Sequence, residues 1–237
     1  MTAAEIKKEL LDLSDPEKKE FLPYFFKTGS GQYGEGDLFI GVVVPQQRKL
    51  VKKYKSLPFP EVEKLLSDPY HECRLTGLLF LVEQFNKTKN EEQRKAIYDF
   101  YIAHADRINN WDLVDLSCRD IVGGYLWDKS RDPLYAFART EHLWLQRISI
   151  ISTYYFIKRN DFKDTFSISD ILTDHPHDLI HKATGWMLRE AGKMNQEALH
   201  CYLTDNARYR KMPRTMLRYA IEKYPENIRK QFLKGEI

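Results

Sequence analysis

At 237 residues with 43% hydrophobic content, the chain is long enough to bury a continuous core without help from disulfides or metals. Its 37 Lys and Arg against 34 Asp and Glu leave a formal net charge of only +3, which excludes a diffuse attraction to phosphate and makes the placement of the bases decisive. Cys73, Cys118 and Cys201, odd in number and with no C-x-x-C, argue against a disulfide frame or structural zinc and read as buried thiols in a reducing compartment.

In chain order, the opening MTAAEIKKEL has no apolar stretch of signal-peptide length, and no segment approaches the roughly 20 apolar residues of a membrane span. A cytoplasmic, monomeric protein is expected, with residues 1–237 forming one domain. Ser14-Asp15-Pro16-Glu17 predicts a capped helix start with proline in the first turn and a capping-box glutamate, and Ser67-Asp68-Pro69 predicts a second start of the same kind. Pro45, Pro60, Pro133, Pro176, Pro213 and Pro225 also sit just ahead of apolar-periodic stretches. Between Thr28 and Asp37, four glycines in ten residues forbid helix and predict a surface connection with positive φ values; no Gly-Lys-Ser/Thr follows, so it is not a phosphate loop.

Helical spacing recurs throughout, as in Leu75, Leu78, Leu79 and Val82, and again in Ile148, Ile151 and Tyr155. No Asn-Gly turn joins two alternating runs, so no sheet is expected. About twelve helices in pairs, without a low-complexity linker, predict an all-α, right-handed superhelical solenoid of HEAT-like helical hairpins. Arg74-Leu75-Thr76, Arg147-Ile148-Ser149 and Lys182-Ala183-Thr184 each set a base, an apolar residue and a small hydroxyl in an apolar helix, and Asp115-Leu116-Ser117 is a fourth such triplet. Their spacings of 41, 32 and 35 residues bracket a helical-hairpin repeat. In that register one row of positions is basic except at Asp115. Towards the end, nine bases stand against three acids from Asn206 onward, leaving 28 bases and 31 acids in the rest; a phosphate-facing end and a solvated helix pair fit this asymmetry equally.

Four tryptophans occur, and Trp127 and Trp144 read as core. Trp111 lies four residues before Asp115 and Trp186 four after Lys182, so each projects from the face of a row position one turn away. Indole faces beside a carboxylate suit a flat, positively charged ligand. From spacing alone, a salt bridge from Asp115 to Arg119 at i+4 is the plainer reading of that carboxylate. His175-Pro176-His177 has the look of a metal site beside Asp174 and Asp178, but spacing places no third ligand and a polar proline loop explains it. There is no H-E-x-x-H, no G-x-S-x-G and no Cys/His nucleophile pair.

Asn110-Trp111-Asp112-Leu113-Val114-Asp115, Trp144-Leu145-Gln146-Arg147 and Lys182-Ala183-Thr184-Gly185-Trp186-Met187-Leu188-Arg189-Glu190 resemble, in the same order, the motifs of the AlkD family of DNA alkylation repair glycosylases. Phe39-Ile40-Gly41-Val42-Val43-Val44-Pro45 is similar to a family element preceding a helix, so the resemblance covers essentially the whole chain. It implies a HEAT-like superhelix that binds duplex DNA and excises cationic bases such as 3-methyladenine and 7-methylguanine with no metal or cofactor, and without enclosing the base. It also implies that Trp111, Asp115 and Trp186 form a catalytic Trp-Asp-Trp constellation, that Arg147 holds backbone phosphate near the lesion, and that Arg189 makes a further DNA contact. Lys182 and Arg74 join these as basic-row contacts to DNA, and Phe25 falls where the family carries a lesion-flanking tyrosine. The sequence departs from the family pattern at Val43-Val44, which replace a polar pair, and in the glycine-rich insertion. The competing expectations are a non-catalytic HEAT-like module that binds DNA or a protein through the same basic face, and a protein scaffold, for which an apolar or acidic groove would be expected.

Overall fold

The structure is a computed structural model describing all residues from Met1 to Ile237. It is all-α, with no strand beyond an isolated bridge between Leu38 and Tyr70. The helices fall into two compact units, Met1–Ile121 and Val122–Ile237.

The first unit holds α1 (Ala3–Asp12), α2 (Pro16–Phe25), α3 (Val44–Tyr54), α4 (Phe59–Leu66), α5 (His71–Lys87), α6 (Glu91–Ala103) and the one-turn α7 (Trp111–Asp115). The long helix α5 is its centre and packs against α1, α3, α4, α6 and α7. It is buried nearly all round from His71 to Val82, with Leu75, Leu78, Leu79 and Val82 in the core as their spacing predicts. Asp15 caps α2 by accepting from the Lys18 amide with Pro16 in the first turn, as expected, but Glu17 closes no capping box. Ser67-Asp68-Pro69 is not a helix start. Ser67 ends α4, Tyr70 is the N-cap of α5, and Asp68 accepts from the Tyr70 amide and the Lys7 ammonium. An Asp-Pro pair marks a turn as readily as a helix entry, and here the turn joins two packed helices.

The second unit holds α8 (Gly124–Leu126), α9 (Asp132–Ala138), α10 (Leu143–Ser152), α11 (Tyr154–Ile157), α12 (Lys163–Leu172), α13 (Asp178–Met194), α14 (Gln196–Thr204), α15 (Arg208–Lys211), α16 (Arg214–Ala220) and α17 (Glu226–Lys234). Its centre is α13, which packs on α10, α11, α12, α14 and α16. Gly185 lets α16 approach α13 closely, because a Cβ there would run into the Met216 carbonyl and the Tyr219 side chain. His175 and His177, the metal-like pair, act in the entry to α13. Each accepts a backbone N–H through its Nδ1, from His177 and Leu179 respectively, and His175 Nε2 lies 2.8 Å from the Gln146 side chain.

In every triplet of the predicted register the hydroxyl is fully buried: Thr76, Ser117, Ser149 and Thr184. Cys73 and Cys118 are buried, but Cys201 is exposed, correcting the expectation of three buried thiols; α14 buries Leu199, Tyr202 and Leu203 instead. Trp144 is core as expected, whereas Trp127 is half-buried with the guanidinium groups of Arg131 and Arg159 each 5.3 Å from its ring.

Candidate functional site

Asp115 ends the five-residue helix α7, and Trp111 begins it. Asn110, fully buried, caps this turn by accepting the Trp111 amide at 2.8 Å. The Asp115 carboxylate is 8% exposed, and its negative charge, after burial itself and the nearby Cys118, helps keep the Tyr101 phenol protonated. Tyr101 is in turn 2.8 Å from the Ser117 hydroxyl.

The Trp111 indole is half-buried in an aromatic cluster built by α2 and the segment after it. Phe26 stacks on it at 5.2 Å and Phe25 meets it edge-on at 5.7 Å. No residue of α2 is buried: Phe25 is 49% exposed, and Phe21 and Tyr24 beside it are more open still. Thus the structure brings Phe25, Trp111 and Asp115 together in one region of the first unit. The i, i+3, i+4 spacing of the aromatics Phe21, Tyr24 and Phe25 is a sequence signal that could have marked this face.

Beneath the cluster lies a charged network that sequence reasoning did not anticipate. His71, the first residue of α5, is 2% exposed and is held between two buried carboxylates, Asp37 at 3.1 Å from Nδ1 and Asp112 at 2.8 Å from Nε2. Burial opposes the imidazolium, but the charge and hydrogen bond of Asp112, followed by those of Asp37, outweigh it and raise the pKa to about 9. Asp37 closes the glycine-rich segment, where Gly31 and Gly36 do take the expected positive φ values. Burial works against its charge too, yet the bond from His71 and the Arg74 guanidinium hold its carboxyl below the usual range. The neighbouring Glu72 accepts the amides of Ile40, Gly41 and Val42 at 2.8 to 3.2 Å, a carboxylate nest that requires Gly41 at φ +96° with the Asp15 carbonyl hard against it.

Arg74 belongs to this charged network. Expected in an exposed basic row, it is 5% exposed and its donors go to Asp37 Oδ1 at 2.5 Å and to the Asp68 and Pro69 carbonyls. At that position the base compensates a buried carboxylate.

In the second unit, Arg147 on α10 is also 5% exposed and donates to the Leu179 carbonyl at 2.6 Å, at the start of α13. Lys182 is open to solvent and pairs with Asp178 at 2.7 Å. The half-buried Trp186 donates its indole N–H to Glu190 at 3.2 Å and lies 6.5 Å from the Tyr154 ring. Arg189 is paired with Glu222. Much of the basic C-terminal excess is likewise engaged: Arg210 and Arg214 donate to the Gly235 and Leu233 carbonyls at the end of α17, and Arg208 pairs with Asp170 and Asp205.

The sequence model of a family described as DNA alkylation repair enzyme matches residues 6–224. The chain belongs to the DNA alkylation repair enzyme family. No curated protein matches the chain. Among solved structures, a predicted DNA alkylation repair enzyme from Enterococcus faecalis superposes with a TM-score of 0.70, covering 90% of this chain and 97% of that one at 16% identity. At that identity the likeness establishes the shared all-α fold. The family match runs through both compact units, from α1 to the end of α16, and so takes in α7, α10 and α13 together. No helix is long and apolar enough to cross a membrane.

Proposed function

We propose that this member of the DNA alkylation repair enzyme family is a monofunctional DNA glycosylase that excises positively charged N3- or N7-alkylated purines from duplex DNA. The observation that carries the reading is Asp115, a largely buried carboxylate one helical turn from a half-buried indole, on the one-turn helix of the family-like motif. Alkylation at purine N3 or N7 already weakens the glycosidic bond. As the C1′–N9 bond breaks, its electron pair leaves with the base, which departs neutral, and positive charge gathers on the sugar. A fixed carboxylate stabilises that charge, and it orients a water whose oxygen bonds to C1′ while its proton passes to Asp115 or solvent.

Trp111 and Phe25 supply aromatic faces for the deoxyribose and the lesion-flanking nucleotide. Trp186 takes the role of the second tryptophan that the family resemblance implies, Arg147 and Arg189 those of its phosphate contacts, and Lys182 adds a solvent-facing base. Arg74, buried against Asp37, has no part in the proposal. The single match through both units supports reading residues 1–237 as one HEAT-like repeat domain.

Asp115→Asn keeps the shape and removes the charge. Single-turnover excision from methylated duplex should fall by about 10²- to 10³-fold, while duplex affinity is retained or rises because a charge repelling phosphate is gone. Near-normal excision by a folded Asn variant would sink the assignment and leave a DNA-binding module without excision activity.

A further inference from the structure

His71 is a buried ionisable group for which the excision chemistry has no direct use. It stands where three segments meet: α5, which it begins; the glycine-rich segment, through Asp37; and α7, through Asp112. Phe26 extends the junction, lying 4.7 Å from the imidazole and 5.2 Å from the Trp111 indole. The helix being held is only five residues long, too short to keep its conformation alone, so its placement must come from outside it. Asp112 is the residue between Trp111 and the remainder of that turn, three positions ahead of Asp115.

We propose that His71, as an imidazolium, is the positioning residue of the Asp115 site, locking α7 and the glycine-rich segment together and thereby fixing both Trp111 and Asp115. The inference rests on the excision reading for what the site does. It rests on proton counting for how the lock works. A neutral imidazole has one N–H, so it can serve one carboxylate only and must turn its bare nitrogen on the other; an imidazolium donates to both. Two charge-assisted bonds to buried carboxylates are about twice as strong as neutral ones, and losing the proton converts one of them into a repulsion between lone pairs.

The charged groups around the ring are consistent with this assignment. Asp37 faces it from the glycine-rich segment and Asp112 from α7; Arg74, one turn along α5, neutralises the second oxygen of Asp37. Glu72 beside it is occupied by the amides of Ile40, Gly41 and Val42. With an upward shift to about 9, the ring stays charged through the neutral range.

The test uses the whole chain as wild type, His71→Gln and Asp115→Asn. Glutamine can hydrogen-bond but carries no charge. In His71→Gln, single-turnover release of 7-methylguanine from duplex should drop about 10²-fold, the cost of a misplaced catalytic group, with duplex affinity unchanged. The wild-type rate, corrected for uncatalysed release, should fall as pH rises through about 9, and the variant should show no such step. Nitrogen NMR of the wild type should show both His71 ring nitrogens protonated at pH 7, and the amide shifts of Trp111 to Asp115 should move with the same apparent pKa.

A folded His71→Gln with wild-type rate and pH profile, or a neutral His71 ring at pH 7, overturns the lock. If the variant does not fold, the wild-type pH dependence of the α7 amides and of the His71 ring decides alone. Normal excision by Asp115→Asn overturns the excision reading instead, and the same amide and ring titrations still decide whether His71 holds α7.

Discussion

Two carboxylates on one helical turn have different environments, and the neighbours decide the difference. Asp112 accepts a hydrogen bond from a buried imidazole, whereas Asp115, three residues on and also buried, acts on the Tyr101 phenol. The cation that serves Asp112 has a consequence for stability as well as for position. Because the folded pKa of His71 is raised, its contribution is fully present below the unfolded value near 6.5 and is lost as pH rises through about 9. Urea midpoints should therefore decline between pH 7 and pH 10, by an amount equivalent to about 3 kcal/mol, and His71→Gln should flatten that decline. An equally steep decline in the variant would assign the alkaline loss to other groups. At the acid end the depressed carboxyl of Asp37 acts in the opposite sense, losing its contribution as pH falls through its folded pKa.

At the scale of elements, each unit is organised by one long helix, and glycine permits a close approach on the second of them. On α13, Gly185 precedes Trp186, so the residue that sets the crossing with α16 also sets where that indole begins. Gly185→Ala places a methyl against the Met216 backbone carbonyl, which cannot swing away as a side-chain end can. We expect overpacking of about 1–3 kcal/mol, seen as a lower melting temperature. An alanine variant that melts with the wild type would mean that α16 yields more easily than a packed helix should. The first unit places its short helix differently, with hydrogen-bonded charges in place of close backbone contact.

For the molecule as a whole, a net charge of +3 is too small to drive DNA binding without local concentration of bases, and many of the bases are occupied. Arg74 is buried against Asp37, and Arg210 and Arg214 satisfy helix-end carbonyls. Lys182 keeps a partly exposed side chain that pairs with Asp178 at the surface, a pair worth little in water. Duplex affinity should thus fall steeply with salt, and Lys182→Ala should flatten the slope of log K against log salt by about 0.9, one counterion. An unchanged slope removes Lys182 from the phosphate contacts. The reliance on the lesion's own charge makes a second whole-protein expectation: uracil, a neutral lesion, should be left in the duplex. Uracil release at a rate comparable to that of 7-methylguanine would overturn the electrostatic mechanism.

Helical class, the buried stripe of α5, the cap at Asp15 and the pairing of Trp111 with Asp115 on one turn were legible because they depend on neighbours three or four residues away, which periodicity and capping chemistry encode locally. The recurring triplet was legible for the same reason, and its four hydroxyls are indeed buried, three on helices and Ser117 in the turn after α7. What the triplet could not say is what its first residue faces. Arg74 and Lys182 occupy the same register position, yet one compensates a buried aspartate 37 residues away and the other stands in solvent. The His71 network was invisible for a like reason. Its partners Asp37 and Asp112 lie 34 and 41 residues distant in opposite directions, and each alone is an ordinary polar residue near a turn. Burial converts them from solvated side chains into charges that must find one another, and burial is a property that only the packed tertiary structure assigns.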